Sequence, residues 1–332
     1  MKKWIDEIMR THRVAAVPIM THPGIELIGK TVRDAVTDGQ VHFQAVKKLS
    51  EVYPSAACTT IMDLTVEAEA FGAPVNMPEN EIPTVYGRLV GDADGVASLQ
   101  VPDLTAGRVP QYLLANRLCA QAITDRPVFG GCIGPFSLAG RLYDMSEIMM
   151  AIYIEPDTIS LLLDKCTRFI MQYCQAIKEA GSAGVVMAEP AAGLLSDEDS
   201  VLFSTKYVKR VVEAVQDDSF TVILHNCGNT GHCTRSMVES GARALHFGNR
   251  VDMPRIIAEV PDYVVVMGNI DPVGVFKQAD SQEVGLRTSE LLRQMSGHSN
   301  FVVSSGCDLP PLVPESNIKA FFQAVDEFNE QV

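Results

Sequence analysis

Short apolar, β-branched runs ending in Gly, Pro, Asn or Asp recur along the 332-residue chain, and most are followed by a longer segment of helical period. That alternation marks parallel strands joined by crossover helices, so it limits the chain to an α/β class before any single residue is weighed. Eight runs read as strands, at 14–20, 57–62, 128–133, 184–188, 221–227, 243–247, 263–267 and 301–305. Helices are expected at 44–52, 64–71, 105–123, 145–153, 156–180, 199–215, 230–240, 254–259, 282–295 and 314–330. Eight strands fit a closed (β/α)8 TIM barrel. An open doubly wound sheet has the same rhythm, but no Gly-x-Gly-x-x-Gly follows the first strand, which removes the commonest reason to expect one.

The stretch 72–110, rich in Gly, Pro and acids, breaks the rhythm after the second strand. It reads as an elaborated loop or hairpin over the barrel mouth, within a single domain spanning 1–332. Hydrophobic residues make up 47% of the chain, enough for one large core. Lys and Arg number 27 against 41 Asp and Glu, a formal charge of -14, which argues against nucleic acid or an anionic membrane as a partner. Asp6 and Glu7 interrupt the opening segment where a signal peptide needs an apolar core, and no window reaches the length of a membrane span. The expectation is a soluble cytoplasmic protein, and its eight scattered cysteines read mostly as reduced core thiols.

In such a barrel chemistry sits at the C-terminal strand ends. LHNCGNTGHC, residues 224–233, places His225 and Cys227 two apart at the end of the fifth strand, where a period of two turns both side chains to one side. The last strand ends in SSGCD and delivers Cys307 to the same face. Two thiolates and one imidazole with a fourth position open form the donor set of catalytic zinc, whereas structural sites are closed by four ligands. His232 and Cys233 would supply such a closed site, but they fall where the next helix should begin. The bland alternative for all three candidates is core packing.

Glu189 follows the fourth strand in AEPAAG, as an oxygen ligand to the metal, a substrate contact or a plain loop carboxylate. Asp63 and Asp271 lie between strand and helix, where an Asp often caps the helix; Asp63 is kept as a catalytic candidate and Asp271 is read as a cap. GGCIGPFSLAG, residues 130–140, lets backbone approach a ligand, and the helix start at Gly134 would suit an anion. Cys132 there has no neighbouring histidine to activate it as a nucleophile.

Together MDLTVEAEAFG (62–72), GGCIGPFSLAG, LHNCGNT (224–230), MGNIDP (267–272) and SSGCDLPP (304–311) resemble the uroporphyrinogen decarboxylase superfamily, and within it the zinc-dependent methylcobamide:thiol methyltransferases. The resemblance runs from about residue 14 to 328 and implies a (β/α)8 barrel with zinc on His225, Cys227 and Cys307. It further implies transfer of a methyl group between a corrinoid (methylcobamide) carried by a partner corrinoid protein and a small-molecule thiol such as coenzyme M. Asn269 of MGNIDP is then assigned to cofactor binding, Arg250 or the Gly134 helix start to a sulfonate, Glu189 to the fourth metal position, and segment 72–110 to partner docking. The decarboxylases need arginines after the first strand to hold a porphyrinogen; THPGIE (21–26) stands there instead, with no arginine until Arg33. A decarboxylase, a first-step enzyme taking methyl from another donor, and a non-catalytic metal- or corrinoid-binding protein are the alternatives.

Overall fold

The eight expected strands are all present in the computed structural model, which describes residues 2–11, 13–228 and 230–331. We number them β1 (Ala15–Ala16), β2 (Cys58–Thr59), β3 (Val128–Ile133), β4 (Gly184–Ala188), β5 (Thr221–Asn226), β6 (Ala244–Phe247), β7 (Val265–Ile270) and β8 (Phe301–Ser305). All pairings are parallel, and each strand lies beside its neighbours in chain order, with β1 against β8. β1 and β2, the two ends of the sheet, meet where the Ala56 N–H donates to the Ala16 carbonyl at 2.9 Å. Among the described residues the barrel closes there on one backbone hydrogen bond, joined by the Ser55 hydroxyl donating to the same carbonyl at 3.3 Å, instead of a ladder. That is why these two strands are two residues long where 14–20 and 57–62 were expected.

Side-chain parity fixes what fills the barrel. Phe129, Val186, Ile223, Ala244, Val265, Met267 and Val302 point inward and form one apolar cluster, closed at the N-terminal end by Trp4, Ile5 and Ile8 of helix Lys2–Arg10. The Trp4 and Phe129 ring centroids lie 5.1 Å apart. Two residues further along three of these strands the same inward parity carries His225, His246 and Ser304, all buried. An apolar layer thus supports a polar one at the C-terminal end, where barrel chemistry belongs.

Several helices begin where a cap dictates rather than where hydrophobic period suggests. Helix Gly39–Val52 starts five residues before the expected 44 because the Asp38 carboxylate accepts from the N–H groups of Gln40 (2.7 Å) and Val41 (3.4 Å). Helices Thr21–Leu27 and Val32–Thr37 occupy a stretch with no expected element, the second closed by a capping box between Thr31 and Asp34. The expected 105–123 helix is Val109–Ala122, its start set by Pro110 in the first turn.

The 72–110 segment carries a short antiparallel ribbon, Val75–Asn76 with Thr84–Val85, and helix Ala93–Ser98. Lys165 caps that helix by donating to the carbonyls of Val96, Ala97 and Leu99 at 2.6, 2.8 and 2.6 Å. The far end of the segment is tied down by Arg108. Its guanidinium donates to Asp63, to Glu69 Oε2 (2.6 Å), to Thr65 Oγ1 (2.7 Å) and to the Val36 carbonyl (3.2 Å). No helix among the described residues is long and apolar enough to cross a membrane.

Arg108→Met keeps the stem but leaves the buried Asp63 carboxylate without its cation. Loss of about 3–5 kcal/mol of unfolding free energy in urea titration is expected, the size found when one partner of a buried pair is removed.

Candidate metal centre

His225 is the next-to-last residue of β5 and Cys227 follows the strand, while Cys307 lies two residues beyond β8, three strands round the barrel mouth. One ligand atom from each, the two sulfurs and a ring nitrogen, lies within 4.8 Å of the others. Ligands about 2.3 Å (sulfur) and 2.0 Å (nitrogen) from a tetrahedral zinc stand roughly 3.5–3.8 Å apart. Cys307 Sγ and His225 Nε2 are 3.8 Å apart. The residues therefore fit one zinc ion, and among the described residues no fourth His, Cys, Asp or Glu joins the group.

The two cysteines meet because glycine lets three loops touch backbone to backbone. A Cβ on Gly248, after β6, would stand 2.7 Å from the Gly228 nitrogen, and one on Gly306 would stand 2.5 Å from the Asn249 nitrogen. The two sulfurs then share a proton: the Cys307 thiol donates to Cys227, drawing Cys227 down to about 7 while Cys307 is pushed well up.

The His225 ring is oriented from below by a residue that the sequence analysis did not single out. His246 is the register partner of His225 across β5 and β6, and the two Nδ1 atoms are 2.8 Å apart. Its other nitrogen, Nε2, lies 2.8 Å from Ser304 Oγ, and that hydroxyl donates to the Val17 carbonyl at 2.6 Å. The hydroxyl proton is committed to Val17, so Ser304 accepts the Nε2–H of His246. Burial, reinforced by His225, holds His246 neutral, so its Nδ1 is a lone pair that accepts the Nδ1–H of His225. The Nε2 lone pair of His225 then faces Cys307, which is the tautomer a metal requires. A signal was present in the sequence: in ALHF the histidine has the inward parity of Ala244 and sits at the same strand end.

The oxygen candidates are placed otherwise than expected. The Glu189 carboxylate accepts from the Phe136 N–H at 2.7 Å, the Ser137 N–H at 3.3 Å and the Ser204 hydroxyl at 3.1 Å, so it caps helix Pro135–Tyr143 instead of standing among the metal donors. Gly134 is not a vacant anion site, because that carboxylate fills it. A Cβ there would lie 1.8 Å from Glu189 Oε2. Burial lifts Glu189 to about 7 against the pull of these donors. Glu67, also buried and lifted to about 7, accepts from the Ile133 N–H at 2.9 Å.

Asp63 is saturated by Thr65 N–H (2.7 Å), Thr65 hydroxyl (2.8 Å), Tyr112 hydroxyl (2.6 Å) and Arg108, so it is a structural hub and not a free acid or base. Asn269 donates to the carbonyls of Gly248 (3.0 Å) and Val251 (2.9 Å) and braces the loop after β6 instead of facing a cofactor. Arg250 stands exposed in that loop's turn. His232 lies 3.1 Å from the Leu195 carbonyl and Cys233 is buried in the turn Gly231–Cys233, neither of them in the donor group. Asp271 caps its turn by accepting from Val273 and Gly274. Cys132 is buried 3.7 Å from Cys174 with its thiol pushed well up, chiefly by burial.

The family model described as "Uroporphyrinogen decarboxylase (URO-D)" matches residues 9–328. The chain belongs to this family. Relatives include "Methylcobamide:CoM methyltransferase MtbA" of Methanosarcina mazei, 26% identical over 270 residues that cover 80% of this chain and 78% of that protein. They also include "Uroporphyrinogen decarboxylase" of Tolumonas auensis, 26% identical over 284 residues and covering 82% and 79%. Among solved structures, a "methyltransferase from Methanosarcina mazei" superposes with a TM-score of 0.90 at 23% identity, covering 98% of each chain, which shows the shared fold. The family therefore includes both chemistries, and the donor group must decide between them.

His246→Phe retains a ring of similar volume without the acceptor for His225. Zinc affinity, measured by chelator competition, is expected to fall about 10–100-fold. Glu189, lifted from 4.5 to about 7, holds a proton in the folded state that the unfolded chain gives up across that window, so its contribution is full below about pH 4.5 and is lost as pH rises through 7. In metal-free Glu189→Gln, the fall of unfolding free energy between those pH values is expected to be shallower by up to about 1.4 kcal/mol per pH unit.

Proposed function

We propose that the protein is a zinc-dependent methyltransferase that moves a methyl group between a corrinoid held by a partner protein and a small thiol. The observation that carries this reading is a donor group of one imidazole and two cysteine sulfurs, with no fourth protein ligand among the described residues. Zinc held by His225, Cys227 and Cys307 would carry little net charge and would lower the pKa of a thiol entering the open position. The remaining work falls to the chain. The Val17–Ser304–His246 line keeps the proton of His225 on Nδ1, away from the ligands. The apolar layer beneath excludes water from that line. A thiol deprotonated there would take the methyl group of the methyl-corrinoid substrate, the carbon–sulfur bond forming as the cobalt–carbon bond breaks and its electron pair stays on cobalt.

The relatives named methylcobamide:CoM methyltransferase favour this branch of the family. Against decarboxylation, the turn after β1 is helix Thr21–Leu27, which carries no arginine, and Arg33 donates outward to the Met77 carbonyl. Docking of a partner was expected on segment 72–110, where Tyr86 is the large apolar residue exposed. Met150, Tyr153, Ile154, Leu194 and Leu202 are exposed instead around helix Met145–Ile154 and the turn after β4, and they suit that role better.

Purified protein is expected to contain one zinc and to bleach methylcobalamin in the presence of thiols. Cys307→Ala is expected to lose the metal and the transfer together. Unchanged transfer in that variant, or turnover of uroporphyrinogen by zinc-free protein, would overturn the reading.

A further inference from the structure

A cavity of about 390 Å3 lies past the C-terminal ends of β3 and β4; none of the three candidate ligands is on its surface, but the turn that forms one wall packs at Gly193 against the loop after β5, where an added Cβ would stand 3.6 Å from the Cys227 carbonyl oxygen. Its walls are the helix Pro135–Tyr143, the turn Pro190–Leu194 and the ribbon strand Thr84–Val85, with Ser137, Arg141, Ala191 and Leu194 on its surface. This is the size of a small-molecule site, mostly apolar with a few polar groups. The walls follow β3 and β4, and β4 is hydrogen-bonded to β5, which carries His225; the Glu189 N–H donates to the His225 carbonyl at 2.8 Å.

Arg141 is the cation of this cavity. It is half-buried, and among the described residues it forms no ion pair and no hydrogen bond. Nearby acids are committed elsewhere. Asp63 and Glu67 attract it only through space, Asp63 being saturated by Arg108, Tyr112 and Thr65, and Glu67 accepting from Ile133. Asp144, also on the cavity surface, accepts from the N–H groups of Ser146 (2.9 Å) and Glu147 (3.3 Å) at the next helix start. A guanidinium drawn out of water without a counter-ion is costly, and a bound anion would supply the missing partner. The helix start of the same element cannot, because Glu189 fills it.

We propose that Arg141 recognises an anionic group, a sulfonate, carboxylate or phosphate, on a molecule entering this site, with the guanidinium offering paired N–H donors to its oxygens. This rests on the methyl-transfer reading only for which molecule bears the anion: the acceptor thiol or the phosphate of the corrinoid.

The test uses zinc-loaded protein and isothermal calorimetry with two matched pairs: 2-mercaptoethanesulfonate against 2-mercaptoethanol, and methylcobalamin against methylcobinamide, which lacks the nucleotide phosphate. The wild type is expected to prefer the sulfonate- or phosphate-bearing member of one pair by about tenfold or more, Arg141→Gln to erase that preference and Arg141→Lys to keep part of it. Preference within the thiols assigns the anion to the acceptor, and preference within the corrinoids assigns it to the methyl carrier. An unaltered preference in Arg141→Gln, or none in the wild type for either pair, overturns the proposal. A preference that depends on Arg141 in a protein transferring no methyl to any thiol sinks the methyl-transfer reading and leaves Arg141 standing.

Discussion

Closure of the eight-stranded sheet is the constraint on which the candidate site depends. His225 lies on β5, Cys227 just after it and Cys307 just after β8, with two strands between them on the wall of the barrel. No local motif brings these ligands together. They meet across the mouth because the sheet curves back on itself, and the three donor atoms converge only where the loops after β5, β6 and β8 pack without side chains between them. A change that opened the β1–β2 contact at Ala16, Ser55 and Ala56 would act on the site through this geometry although it lies on other strands.

The parity that builds the interior also builds the support for the candidate ligand His225. In the strands that carry Ile223, Ala244 and Val302 inward, the next inward positions are His225, His246 and Ser304. An apolar layer beneath holds these groups dry, and in a dry layer each proton must have a defined owner. The terminal acceptor is a backbone carbonyl, Val17, which cannot change protonation. The direction of every hydrogen bond above it follows from that one fixed acceptor.

Fold class, strand number and the convergence of His225, Cys227 and Cys307 were legible because they depend on local period and on residue type at strand ends. β3, β4 and β8 have the boundaries expected from sequence. β7 runs to Ile270 instead of 267 because its pairing with β8 continues through Asn269 and Ile270. The oxygen candidates were not legible, because whether a carboxylate is free depends on what else reaches it. Asp63 is saturated by Arg108 and Tyr112, more than forty positions along the chain. Glu189 is captured by a helix start 53 residues before it. Nothing in the local sequence of either distinguishes a reacting acid from a satisfied one.

The same reasoning separates the arginines. Arg250 follows a barrel strand and looked well placed for an anion, yet it is exposed, where water screens its charge. Arg108 is buried but neutralised by Asp63 and Glu69. Arg141 is partly withdrawn from water, without an ion pair, and directed into a cavity. An unmatched charge in a low-dielectric wall attracts its counter-ion more strongly than either of the others does. In a chain of formal charge -14, most of the surface repels anions, so an unmatched cation in a cavity wall would both draw an anionic ligand and fix where it lies.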